Sequence, residues 1–150
     1  MLLPGGLGHL TYSTLVHPGD TWPEMWESLR SFVPAVKARV SPDAPFGVSL
    51  RLSGSSAATL AGSEALRAEL RDFLAAEELY VYTVNAFPHG PFKGRTVMED
   101  VYEPDWSTQV RLDYTTQVAD VLADVALPGV RPTIQTAPLA AAKALRPSSE

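Results

Sequence analysis

Thirteen prolines in 150 residues do most to limit what this chain can fold into. They are spread along it, at or near the ends of apolar segments, at Pro18, Pro42, Pro45, Pro88, Pro91, Pro104, Pro128, Pro132 and Pro138. Proline lacks a backbone donor and restricts φ, so it is tolerated mainly where helices and strands end. The prolines act as punctuation, and the segments between them read alternately as strand and helix.

His9–Val16 is rich in β-branched and aromatic residues and predicts a first strand, closed by the turn His17-Pro18-Gly19-Asp20. Thr21 and Glu24 have capping-box spacing, and Trp26, Leu29, Val33, Val36 and Val40 follow at helical intervals. The spacing predicts a helix over 22–40, kinked or broken near Phe32 by Pro34. Phe46, Val48, Leu50 and Leu52 alternate with Gly47, Ser49, Arg51 and Ser53, a second strand with one apolar and one small or polar face. Ser55–Ala61 reads as a short helical turn. Ser63 then caps a second helix marked by Leu66, Leu70, Phe73 and Leu74. Leu79–Val84 reads as the third strand. Asn85–Ser107 reads as a loop, long enough to suggest a function. Tyr114, Val118, Val121, Leu122 and Val125 mark a third helix, ended by Pro128-Gly129, and Thr133–Ala137 reads as the fourth strand. The Ala-rich tail, 140–150, is expected to fray.

This order is βαβαβαβ, which implies right-handed crossovers and a parallel sheet. An open doubly wound sheet would want a Gly-rich turn after the first strand, and His17-Pro18-Gly19-Asp20 is not one. The small and polar face of the second strand favours part of a (β/α)8 barrel, whose inner face is crowded. The expected fold class is therefore α/β: a partial TIM barrel of about four parallel strands, with helices on the outer face only.

Composition removes several functions. With no cysteine there is no disulfide framework, thiolate nucleophile or cysteine-ligated metal. A net charge of −5 without a Lys/Arg cluster argues against nucleic acid as partner. No apolar run is long enough to span a bilayer, and the first residues lack the basic and apolar regions of a signal peptide. The expectation is a cytoplasmic protein.

Several stretches together carry a resemblance. They are His9-Leu10-Thr11-Tyr12 with His17-Pro18-Gly19-Asp20; Val36 to Gly47, followed by Leu50-Arg51-Leu52-Ser53; and Leu79 to Phe92. Val101-Tyr102-Glu103-Pro104-Asp105-Trp106 and Thr136-Ala137-Pro138-Leu139 fit as well. From about residue 9 to 139 the chain resembles the EboE metabolite traffic family of bacteria, which is similar to the xylose-isomerase-like TIM barrels. It departs from the family's pattern at Ser13, Leu15 and His89, where Cys, Asn and Tyr are often found. Such a barrel takes about 250 residues, so the resemblance implies that residues 1–150 are its N-terminal half. It implies a role in handling or exporting a small metabolite; the alternative is a sugar isomerase or epimerase, and a third reading is an inactive fragment. Any divalent metal would need ligands from later strands absent in this chain, and the cofactor is otherwise unknown.

In such barrels, sites lie at the C-terminal ends of strands. That rule singles out Thr14, His17, Arg51, Asn85, Phe87, His89 and Thr136 as ligand-binding candidates, with Ser53 beside them; no catalytic residue is assigned. His17 and His89 titrate near neutrality and could act as bases or ligands, or be satisfied by backbone and water. Arg51 could clamp a carboxylate or phosphate, or form a structural ion pair. Asn85 could bond a hydroxylated ligand or make an Asx turn. Phe87, Phe92, Tyr102 and Trp106 could wall a pocket or form the loop's own core. Glu99, Asp100, Glu103 and Asp105 could bind a metal, but their spacing matches no known metal loop and they read as a solvated acidic face. A half-barrel also leaves open sheet edges and an uncovered apolar inner face, so self-association as a pseudo-barrel dimer, aggregation or marginal folding is expected.

Overall fold

The computed structural model describes residues 1–91 and 101–139. The expectations for Phe92, Glu99, Asp100 and the 140–150 tail lie outside the described residues. Four strands, β1 (Thr11–Ser13), β2 (Phe46–Arg51), β3 (Leu79–Ala86) and β4 (Thr133–Thr136), pair in the order β1-β2-β3-β4, every pair parallel. Between them run α1 (Trp22–Val40), α2 (Gly54–Ala61), α3 (Glu64–Ala76) and α4 (Gln109–Val125). Consecutive parallel neighbours need crossovers of one hand, which lay the helices in a single layer. Accordingly α1 touches α2, α2 touches α3 and α4, and α3 touches α4. The protein is thus α/β, with a four-stranded parallel sheet flanked by helices.

The core lies between that layer and one sheet face. Phe46, Val48, Leu50 and Leu52 meet Val81, Val84 and Ala86 from β3, with Val33, Leu60, Leu70 and Val118 from the helices, all essentially without solvent contact. Phe46, Val48, Leu50 and Leu52 alternate along the chain and so share one face, which the helix layer covers. Across the helix layer, Arg67 and Arg71 of α3 pair with Glu64 and with Asp124 of α4 at 2.6–2.7 Å.

Three expectations are corrected. The first strand is three residues long rather than eight, because Thr14–Val16 turns into a 3-10 helix. Ser13 Oγ accepts the Leu15 N–H, and Thr14 points inward to serve Arg51. Second, α1 runs unbroken through Pro34. The carbonyl that loses its partner belongs to Arg30, an exposed residue whose surroundings can hydrate it. Third, Ser55–Ala61 is a full helix starting at Gly54, capped by Ser53 Oγ accepting the Ser56 N–H.

The face away from the helices also differs from expectation, being polar. Paired residues share a face, and the register aligns Ser13, Ser49, Thr83 and Thr133 in one row, with Arg51, Asn85 and Gln135 in the next. A bulge between Val48 and Ser49 skips Tyr82. Both Tyr82 and Thr83 therefore stay off the helix face, and Val84 and Ala86 reach the core. The amino end of this face is covered by residues 1–10. Tyr82 Oη donates to the His9 carbonyl, His9 Nδ1 meets Tyr80 Oη, and the amino group of Met1 donates to the Leu10 carbonyl.

Gly47 shows how close this cover sits. A Cβ there would lie 2.8 Å from both the Leu10 carbonyl oxygen and the Met1 nitrogen. Gly47→Ala should therefore lift residues 1–10 and cost about 1–3 kcal/mol of overpacking, read as a lower urea midpoint at unchanged slope.

Candidate functional site

The carboxyl ends of β2 and β3 converge with the loops that follow β1, β2 and β3, and a buried arginine sits at each of two corners. Arg51, the last residue of β2, is 3% exposed. Its backbone N–H donates to Thr14 Oγ1 at 2.8 Å. Its guanidinium donates to the Gly19 carbonyl at 2.7 Å and the Gly90 carbonyl at 3.0 Å, and pairs with Asp20 Oδ1 at 2.6 Å. One side chain thus ties together the loops after β1 and β3. Ser53 Oγ adds a bond to the Asp20 carbonyl. The fork that could clamp a ligand acid is spent on the protein.

Arg111, on α4, has no exposed surface. Nε donates to the Pro104 carbonyl at 2.6 Å, and the terminal nitrogens donate to the Ala86 carbonyl at 2.9 Å and the Phe87 carbonyl at 3.2–3.3 Å. Its charge lies 5.3 Å from the centre of the Tyr114 ring. Burial lowers the Arg111 pKa, and the Tyr114 ring, Asp105 and Glu103 oppose that shift. Burial likewise raises the Tyr114 phenol, whose hydroxyl donates to the Leu52 carbonyl. Arg111 belongs to the α4 pattern only as a polar position within an apolar stripe, one turn before Tyr114. A helical wheel places it on the buried face, a signal the sequence reading passed over.

Asn85 makes its Asx turn, Oδ1 accepting the Phe87 N–H at 3.0 Å. Its Nδ2 donates to Gln135 Oε1 at 3.2 Å. Gln135 is therefore the β4 residue that joins this rim, and Thr136 is not. Thr136 pairs with Ala86 and falls on the other face, as the alternation about Ile134 already implied. His17 stacks on Phe32 with centroids 4.6 Å apart, and its Nε2 lies 3.0 Å from Tyr12 Oη. Thr14, His17, Arg51 and Gly19 line a cleft with about 10 Å³ of space for water centres, roughly one water molecule.

His89 lies at the opposite corner, edge-on to Tyr114 at 4.9 Å, with its ring against Gly54 at the start of α2. Burial, and then the Arg111 charge, push its pKa below the ordinary value. Phe87 packs on Tyr102 at 5.4 Å, and Trp106 Nε1 donates to the Ala137 carbonyl at 3.2 Å, so these loop aromatics pack on the protein itself. Asp105 departs from the expected solvated acidic face. It is buried, and Oδ1 accepts from the Ser107 hydroxyl and N–H, bonds that lower its pKa.

Among the described residues, no group of three His, Asp or Glu side chains is placed to hold a metal ion. No described helix is long and apolar enough to cross a membrane. Comparison with family models finds no match, and neither curated proteins nor solved structures show one.

Arg111→Leu would leave the Pro104, Ala86 and Phe87 carbonyls without their donor. The expected cost is about 3 kcal/mol in chemical denaturation. Arg111→Lys should recover only part of it, since one ammonium cannot reproduce the planar fork.

Proposed function

We propose that this chain is the N-terminal half of a (β/α)8 barrel related to the EboE metabolite traffic family, and that its carboxyl rim binds a small, uncharged, hydroxylated metabolite. One observation carries the ligand class: among the described residues, both rim guanidiniums are engaged by backbone carbonyls and Asp20, and amides and hydroxyls remain to meet a ligand. The half-exposed Ser13, Ser49 and Thr83, with exposed Thr133 and Gln135, place hydroxyls and an amide on one face, where Thr133 Oγ1 donates to Thr83 Oγ1 at 3.0 Å. Such a row suits vicinal hydroxyls, each of which both donates and accepts. Among the described residues of this rim, both guanidiniums already meet protein acceptors. Binding and transfer of the metabolite, rather than its isomerisation, is the favoured activity, and a cytoplasmic setting goes with it. A protein partner, if one exists, would meet the open edges of β1 and β4.

Titration calorimetry against paired ligands tests this reading: neutral polyols and sugars beside their phosphate esters and acids. Binding should be confined to the neutral members. Gln135→Ala should weaken it about tenfold, one hydrogen bond's worth. Preferential binding of the phosphorylated members would overturn the proposal.

A further inference from the structure

The segment 87–91 is tied to the rest of the protein by three of its carbonyls and by the His89 ring. Arg111 takes the Phe87 carbonyl, Arg51 takes the Gly90 carbonyl at 3.0 Å, and the Gly54 N–H donates to the His89 carbonyl at 2.8 Å. The His89 ring itself rests where a side chain on Gly54 would be: a Cβ there would lie 2.2 Å from Nε2. The ring also stands perpendicular to that of Tyr114, with centroids 4.9 Å apart. The ring thus seats the segment in a socket that exists only because residue 54 is glycine.

The surroundings of that socket are electropositive. Gly54 is the first residue of α2, so the positive end of the helix faces the imidazole. Arg111 from α4 acts on His89 directly, and Arg51 from β2 holds the next residue of the segment. Among the described residues, the carboxylates nearby are committed elsewhere. Asp20, from the loop after β1, pairs with Arg51. Asp105, before α4, accepts from Ser107, and Glu103 acts on Arg111. Ser53 and Ser56 at the α2 cap do not titrate, and the Tyr114 phenol ionises only at strongly alkaline pH. A second proton on the imidazole would place a full positive charge among like charges, with burial adding to the cost.

We propose that residues 87–91 form an acid-opened latch over the carboxyl end of the sheet, closed while the His89 ring is neutral and released when the ring takes a proton from water. The latch rests on its own contacts and holds whether or not a metabolite binds at the rim. The sign follows from linkage. A histidine whose folded pKa lies below its ordinary 6.5 stabilises the closed form above that value, and the stabilisation is lost as pH falls toward the folded pKa. Asp105, held ionised by Ser107, does not titrate in that window.

Amide exchange of the full chain, followed by NMR from about pH 7.5 to 4.5 beside the His89 ring titration, tests the latch. After correction for intrinsic rates, protection of the Gly54 N–H should fall at least about tenfold in step with His89 protonation. The Val48 and Val81 amides, deep in the sheet, should stay protected. His89→Phe keeps the edge-on ring without a titrating nitrogen and should hold Gly54 protected throughout. Gly54→Ala, which fills the socket, should lower protection of the residue 54 amide already at neutral pH. Three results would overturn the proposal: Gly54 protection unchanged through the His89 titration, His89→Phe following the wild-type curve, or Val48 and Val81 exchanging together with Gly54.

Discussion

The carboxyl end of this sheet depends on how a guanidinium without exposed surface is solvated. Arg111 reaches from α4 to the carbonyls that close β3 and to the carbonyl of Pro104. A buried cation is tolerable only when its donors are met, and carbonyl dipoles meet them here. The same bonds satisfy carbonyls that have left the ladder of β3 and would otherwise be stranded. Helix, strand end and returning loop are thereby tied together by one side chain, which holds the Phe87 carbonyl directly.

Arg51 plays the matching part on the other side. It joins the loop after β1 to the loop after β3 and has Asp20 as counter-ion. Two arginines at the mouth of a sheet would ordinarily suggest an anion site. Here both are engaged by carbonyls, with Asp20 beside Arg51, and the Arg111 charge adds to burial in lowering the His89 pKa. Charge and availability are separate properties of a side chain, and only the second can recruit a ligand.

The open face of the sheet follows the same logic. Burying an apolar inner face would have given two copies a strong hydrophobic reason to associate. The register instead puts Ser13, Ser49, Thr83 and Thr133 there, water-compatible residues, while residues 1–10 cover the amino end. The short β1 and the exposed four-residue β4 limit the backbone edge on offer.

Much of the architecture was legible in sequence. Alternation in Phe46–Leu52, the Thr21/Glu24 cap and the proline boundaries specify local geometry through backbone sterics and hydrophobic period, and these operate over a few residues. They sufficed for the order of elements and the parallel sheet. They also put Arg51, Asn85 and His89 at one end of it. The roles of those residues were decided elsewhere. Whether Arg51 was a clamp or a structural tie depended on Asp20 and Gly90, 31 and 39 residues away in the chain. Arg111 looked like one polar position on a helix until folding brought three carbonyls around it. The pattern of one segment determines which way a side chain points. What it meets there is a long-range fact, because hydrogen bonds and burial belong to pairs of segments that only the tertiary structure brings together.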